Sequence, residues 1–272
     1  MRPTSVSATQ IEHRLTGRGP VVLVLKGGHC SRDTRLGHER LAEHGFSVLE
    51  ASRPGYDRTP VALGCTAEEA ADALAGLLDA LRIPRVDLVA ISAAGHTALE
   101  LAARHPERVR RIAFEAAMAL PWDAATRRRA RLLFGPAQAF VWGLVRIGLR
   151  LMPSAMLRAL LTDLTTLDPA AVVRDMDPAT RAQYVALFRS LRSGDGFLCD
   201  LGHSSAAVTK LSQPVLILRG RHDRSVPMAH VQRLMALCPD HRYVEVDAET
   251  HFIWLGRAGT EVWRRRLAFL RA

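Results

Sequence analysis

Lysine is almost absent: Lys26 and Lys210 are the only two among 37 basic residues, so arginine carries nearly all of the formal charge of +10. The densest basic run, Arg127, Arg128, Arg129 and Arg131, lacks the interleaved aromatics on which single-stranded nucleic acid stacks and reads as a solvated helix face. Nucleic acid is therefore not an expected partner. Cysteine is scarce as well: Cys30, Cys65, Cys199 and Cys238 lie far apart with no CxxC pair, which excludes a zinc knuckle and a dense disulfide framework. They read as reduced thiols. Long apolar runs are also missing. The start of the chain, MRPTSVSATQIEHRL, has no apolar stretch of a secretory signal, and the longest uncharged run, Leu132 to Val145, is short and interrupted by Gly135-Pro136. A cytoplasmic protein is the expectation.

What is present fits one large α/β domain with an insertion: 272 residues, 48% of them hydrophobic, with no internal repeat or low-complexity linker. Short apolar runs bounded by turn residues alternate with segments of helical period, the pattern of buried parallel strands and crossover helices. Val21 to Leu25 reads as a strand stopped by Gly27-Gly28, followed by a polar helix to about His44 and a strand over Phe46 to Ala51. Thr66 with Glu69 forms a capping-box pattern that opens a helix with Ala70, Leu74, Leu77, Leu78 and Leu81 on one face. Val86 to Ile91, Val109 to Phe114, Val215 to Leu218 and Tyr243 to Val246 read as further strands, with helices over Ala93 to Arg104, Met228 to Leu237 and Thr260 to Leu270. A doubly wound, mostly parallel sheet flanked by helices is the economical topology.

Between Pro121 and about Val208 the strand signal disappears, and Leu-, Arg- and Ala-rich helical segments are separated by Gly-Pro, Met-Pro and Asp-Pro breaks. The division expected is a core of residues 1–119 and 209–272 with a helical cap over 120–208. In Ala137 to Met152 a narrow stripe of Gln138, Trp142, Arg146 and Arg150 interrupts an otherwise apolar helix, so most of that helix is expected to be covered. It either packs over the sheet edge or roofs a pocket for a hydrophobic group. Association with a membrane is not expected, because the apolar face is shared with whatever the cap covers.

The run Asp87-Leu88-Val89-Ala90-Ile91-Ser92-Ala93-Ala94-Gly95-His96 places one serine between a buried strand and a helix, with small residues on both sides. Serine is a common helix cap, so on its own Ser92 also reads as an N-cap. The segment resembles the nucleophile elbow of the α/β-hydrolase family, usually GxSxG, here AxSxA. A tight strand-to-helix turn leaves no room for larger side chains at the outer positions, and it would aim the Ala93 N–H at a developing oxyanion.

The resemblance implies a serine hydrolase, esterase-like and capped, whose triad follows in the order Ser, acid, His. Leu218-Arg219-Gly220-Arg221-His222-Asp223-Arg224-Ser225-Val226-Pro227 looks like the family's acid turn and puts Asp223 in that role. Asp247-Ala248-Glu249-Thr250-His251-Phe252 resembles the histidine loop and makes His251 the base, with Thr250 where Gly is common. His222 neighbours Asp223 in a turn and is not expected to converge on Ser92. Leu25-Lys26-Gly27-Gly28-His29 matches the loop that supplies the second oxyanion donor, which would be Gly28, with Lys26 in place of the usual His. Cys30 lacks an elbow and a base and is not taken as a nucleophile. Asp57 is read as a turn residue of the pocket wall, and Glu115 as a packing residue. The resemblance covers Val21 through Met118 and Val215 through Leu270.

The expected reaction is hydrolysis of a small, largely apolar carboxylic ester, lactone or thioester through an acyl-enzyme, with no metal or organic cofactor. The same residues would equally serve C–C hydrolysis, perhydrolysis or cyclisation, and the fold would also serve a ligand receptor or interaction protein. A small-molecule substrate with a hydrophobic group is the expected partner, and the sequence leaves the oligomeric state open.

Overall fold

The computed structural model describes residues 10–272. Strands β1 (His13–Gly17), β2 (Val21–Leu25), β3 (Ser47–Ala51), β4 (Val86–Ile91), β5 (Val109–Glu115), β6 (Val215–Gly220) and β7 (His241–Val246) form one sheet in the order β1-β3-β2-β4-β5-β6-β7. Only β1 runs antiparallel, to β3; the remaining pairings are parallel. Helices α1 (Ala67–Ala80) and α2 (Gly95–Arg104) lie in the first half of the chain, and α3 (Ala124–Phe134), α4 (Gln138–Leu151), α5 (Pro153–Leu161), α6 (Pro169–Asp175), α7 (Pro178–Ser190) and α8 (Gly194–Asp200) fill the stretch between β5 and β6. Helices α9 (Met228–Leu237) and α10 (Gly256–Arg271) complete the fold.

Alternation along the strands sorts the core into two layers, as a sheet buried on both faces requires. Leu23, Leu25, Leu88, Ala90, Ile112 and Phe114 face α1, α2 and α9. Val22, Val24, Val89, Ile91, Ala113 and Leu218 face α10 and the inserted helices. Helix α1 begins with the expected capping box: the Thr66 side chain accepts from Glu69 N–H, and the Glu69 carboxylate accepts from Thr66 N–H.

Three expectations are corrected. The polar helix before Gly45 is no α-helix: only tight 3₁₀ turns span His38–His44, flanked by Gly37 and Gly45, both at positive φ. Cys65 and Cys199 are not free thiols but form a disulfide, with 5.0 Å between their Cα atoms. Helix α4 turns Trp142, Val145 and Leu149 inward and leaves Phe140, Leu144, Ile147 and Leu151 exposed, so its apolar surface is not mostly covered.

Topology places the site. The chain passes from β2 outward to β3 and then returns to the other side of β2 for β4, so the loops after β2 and β4 leave the sheet in opposite directions and open a crevice between them. Leu25 is level with Ala90 across that switch point, so Gly27 and Ser92 leave the sheet at the same height. The ends of β6 and β7 lie along the same edge, with Gly220 level with Val246.

Candidate active site

Ser92 follows β4 directly and opens a short 3₁₀ turn, Ser92–Ala94, that runs into α2. Its φ is +51°, a left-handed conformation that non-glycine residues rarely adopt. The crowding expected of such a turn is visible: Ala90 and Ala94 are fully buried, and a Cβ on Gly95 would lie 2.0 Å from the carbonyl oxygen of Met118.

Ser92 Oγ lies 3.0 Å from His251 Nε2, and His251 Nδ1 lies 2.8 Å from Asp223 Oδ2. The other oxygen of Asp223 accepts the Val226 N–H at 2.9 Å, which fixes the carboxylate within its turn. With Nδ1–H donated to the carboxylate, Nε2 presents its lone pair to the serine hydroxyl, the tautomer that proton removal from serine requires. Asp223 and His251 are both buried, so the pair is shielded from competing water.

Two packing devices hold the histidine loop. Trp254 meets the His251 ring edge-on at 5.9 Å, and its Nε1 donates to Glu115 Oε2 at 2.6 Å. Glu115 also accepts two bonds from Arg266 of α10, at 2.6 Å each, with all three side chains buried. Glu115 is thus a packing residue, as expected. The second device is Thr250, whose Oγ1 is 2.7 Å from the Tyr184 hydroxyl of α7 and accepts the Phe252 N–H. The residue that departs from the family's usual Gly is an anchor to the inserted helices. Segment 164–166 adds to this stitching: Leu164 O accepts the His251 N–H, and Thr166 N–H donates to His222 O. The His222 ring points to Thr166 Oγ1 and takes no part in the Ser92 chain.

Gly28 and Ala93 face each other across the switch point: an added Cβ on Gly28 would lie 3.7 Å from the Ala93 Cβ and 3.0 Å from the ring of Phe197. The preceding Lys26 is buried, its ammonium 2.8 Å from Glu50 of β3. Burial lowers the Lys26 pKa while Glu50 opposes that shift. Burial also disfavours the Glu50 carboxylate, yet the His38 hydrogen bond and the Lys26 charge outweigh it and hold the carboxyl below its usual range. A buried lysine–glutamate pair therefore braces the loop where the family commonly has His.

Sequence reasoning missed His29 and the Arg53–Asp200 pair. The His29 ring is enclosed by Phe197, Phe134 and Trp142, with centroids 3.8, 4.5 and 5.3 Å away, and its Nδ1 is hydrogen bonded to Ser193 Oγ at 2.8 Å. Burial pushes its pKa down to about 3, so the ring is neutral at physiological pH. Arg53 and Tyr56 hold Asp200 of α8, the Arg53 Nη2 bond measuring 2.7 Å. Asp57 instead accepts Arg32 N–H and Ser52 O–H, a turn role as expected. Cys30 is free, and burial raises its thiol pKa to about 11, which suits a packing residue. Among the described residues, no group of three or more His, Cys, Asp or Glu side chains is placed to hold a metal ion. An open cleft of about 420 Å³ lies at the opposite, amino edge of the sheet, lined by His44, Arg110, Arg111 and Leu270, away from Ser92.

Residues 20–258 match the family model of the α/β hydrolase fold, and the chain belongs to that family. It is 31% identical, over 96% of its own length and 94% of the relative's, to the uncharacterized hydrolase YcgS of Bacillus subtilis. It is 30% identical to a 2-hydroxymuconate semialdehyde hydrolase of a Pseudomonas species, over 64% of this chain and 58% of that one. An α/β hydrolase fold protein from Nakamurella multipartita superimposes with a TM-score of 0.79 at 24% identity, covering 96% of this chain and 95% of the other. Membership in the family and the named relatives make this protein a hydrolase.

Proposed function

We propose that the protein hydrolyses a small, largely apolar carboxylic ester, lactone or thioester through an acyl-enzyme on Ser92. The observation that carries this reading is the continuous chain Ser92 Oγ–His251 Nε2–Asp223 Oδ2, at 3.0 and 2.8 Å, on a serine in a left-handed turn. His251 takes the serine proton as Oγ attacks the acyl carbon; Asp223 stabilises the imidazolium; His251 returns the proton to the leaving oxygen or sulfur. The N–H groups of Gly28 and Ala93 hold the oxyanion. Water then attacks the acyl carbon as His251 takes its proton, the acyl–Oγ bond breaks, and His251 returns the proton to Ser92 Oγ as the acid is released.

The apolar substrate class rests on what surrounds the donors: Ala93 clusters with Met118, Val226 and Trp122, and Phe197 covers Gly28. Helices α3–α8 form the cap in this reading. A cytoplasmic location belongs to this same reading, and there the Cys65–Cys199 bridge would be exposed to reduction.

Turnover of a panel of nitrophenyl esters, lactones and thioesters tests the proposal. Wild type is expected to release acid, and Ser92→Ala to lose at least about four orders of magnitude in kcat while staying folded. A folded wild type inert on the whole panel contradicts it. One observation favours a second reading, C–C hydrolysis with the same residues: the Pseudomonas relative's name gives a semialdehyde, not an ester, as the compound hydrolysed. Turnover of that semialdehyde with none of the esters would select it.

A further inference from the structure

Helix α4 carries two apolar faces. A helix turns about 100° per residue, so Trp142, Val145 and Leu149 share an arc of about 60°, and Phe140, Leu144, Ile147 and Leu151 share another about 60° arc on the opposite side. The first set is buried; the second is exposed by 69, 49, 56 and 70%. Leu132 and Leu133 on α3 and Met152 beyond α4 are exposed too, and most of the large exposed apolar residues of the described chain fall in this one segment. So long an apolar stripe on a surface helix is unusual for a protein bathed only in water.

Charge accompanies the stripe. Segment 121–161 contains seven arginines and a single acidic residue, Asp123, whose carboxylate is engaged in capping α3. Arg128, Arg129 and Arg131 on α3, Arg150 on α4 and Arg158 on α5 are exposed, and of these Arg129 is paired with Asp163 at 3.0 Å. We propose that this α3–α4 face docks on the surface of an anionic phospholipid bilayer, with Phe140, Leu144, Ile147 and Leu151 entering the headgroup–acyl boundary and the surrounding arginines meeting lipid phosphates.

Charge complementarity selects this occupant. A second copy of the chain packed face to face would set arginines against arginines, whereas an anionic surface satisfies both the apolar stripe and its basic surround. Geometry selects lying over spanning. Among the described residues no single helix is long and apolar enough to cross a membrane; α3 and α4 qualify only as a pair, bent by 81°. The 14 residues of α4 reach about 21 Å, short of a hydrocarbon core of about 30 Å. The expectation against membrane association assumed a single apolar face, shared with whatever the cap covers; the second, exposed face removes that obstacle.

The docked helix also reaches the site. On its inner face Trp142 Nε1 donates to Ser193 Oγ at 2.9 Å, and Ser193 is bonded to His29, the neighbour of Gly28. Binding to vesicles is read without turnover, so the proposal stands or falls apart from the hydrolytic one.

The test is cosedimentation of the full chain with phosphatidylcholine vesicles, with and without phosphatidylglycerol, at about 0.15 M salt. Wild type is expected to sediment with the anionic vesicles and not with the neutral ones. A Leu144→Ser, Ile147→Ser, Leu151→Ser variant should lose at least about tenfold in partitioning, and each of Arg128→Gln and Arg131→Gln about fivefold. Circular dichroism and thermal melts of each variant establish that it is folded. No binding of wild type to anionic vesicles overturns the proposal, as does equal binding to both vesicle types. A solution dimer that the triple variant dissociates would assign the face to a second copy and also overturn it.

Discussion

A Cβ on Gly27 would stand 2.7 Å from the Cβ of Ser92 and 3.3 Å from its Oγ. The loop after β2 therefore presses against the elbow after β4, and only a residue without a side chain permits both to occupy the switch point.

Gly27→Ala should displace either the elbow or the Gly28 loop. Its expected effect is a loss of about 10²-fold or more in kcat with little change in the unfolding midpoint, since misplacing a reacting group by about 1 Å costs that much. Steady-state kinetics beside a urea melt separate the two quantities. A variant with wild-type kcat would show that the close approach has no bearing on turnover.

Glu115→Ala removes the partner of Arg266, which is fully buried, and the acceptor of Trp254. Leaving a buried guanidinium uncompensated costs about 3–5 kcal/mol, whereas replacing both members by apolar groups is often close to neutral. Glu115→Ala should therefore melt far below wild type and Glu115→Leu with Arg266→Met close to it. If the double variant were no better than the single, the pair would owe its worth to more than charge compensation.

Acidification should destabilise the fold before the carboxylates titrate. Burial depresses His29 to about 3 and His96 and His230 to about 4, from an ordinary 6.5. Above about pH 6.5 these rings are neutral in both folded and unfolded chains, and there is no penalty. As the pH falls below that value the unfolded chain takes up protons that the folded one refuses, so stability is lost from about pH 6.5 down to the folded pKa values. At about pH 5 each histidine contributes a loss of up to about 2 kcal/mol. Glu50 and Asp200, held below their usual range, add losses only as the pH falls below about 5 and about 4 respectively. Urea melts between about pH 7 and pH 5 read the histidine part alone; an unchanged midpoint would mean that the three rings are hydrated.

Local signals carried much of this architecture, and long-range ones did not. Each strand from β2 to β6 is recognisable because a doubly buried strand is a short apolar run between turn residues, while the half-exposed β7 shows only the weaker run from Tyr243 to Val246; the structure brings together Ser92, Asp223 and His251, each read from the loop after one of these strands. The turns at His38–His44 escaped because polar composition does not distinguish an α-helix from tighter turns; Gly37 and Gly45, both left-handed, limit the segment to a short turn. The Cys65–Cys199 bridge joins residues 134 apart, and Lys26–Glu50 and Arg53–Asp200 pair across elements, so none leaves a local pattern. In α4 the polar stripe pointed the wrong way: Trp142, grouped with the arginines by spacing, turns inward to Ser193, and the opposite apolar face remains outside.

The central claim is that Ser92 is a nucleophile activated by His251 and Asp223, and it is tested most directly by labelling with an active-site fluorophosphonate followed by mass spectrometry of the modified peptide. The account predicts a single adduct on Ser92, lost in Ser92→Ala and slowed by about 10⁴-fold in Asp223→Asn, where the histidine would adopt the wrong tautomer. A folded wild-type protein that takes no label, or takes it on another residue, would contradict it.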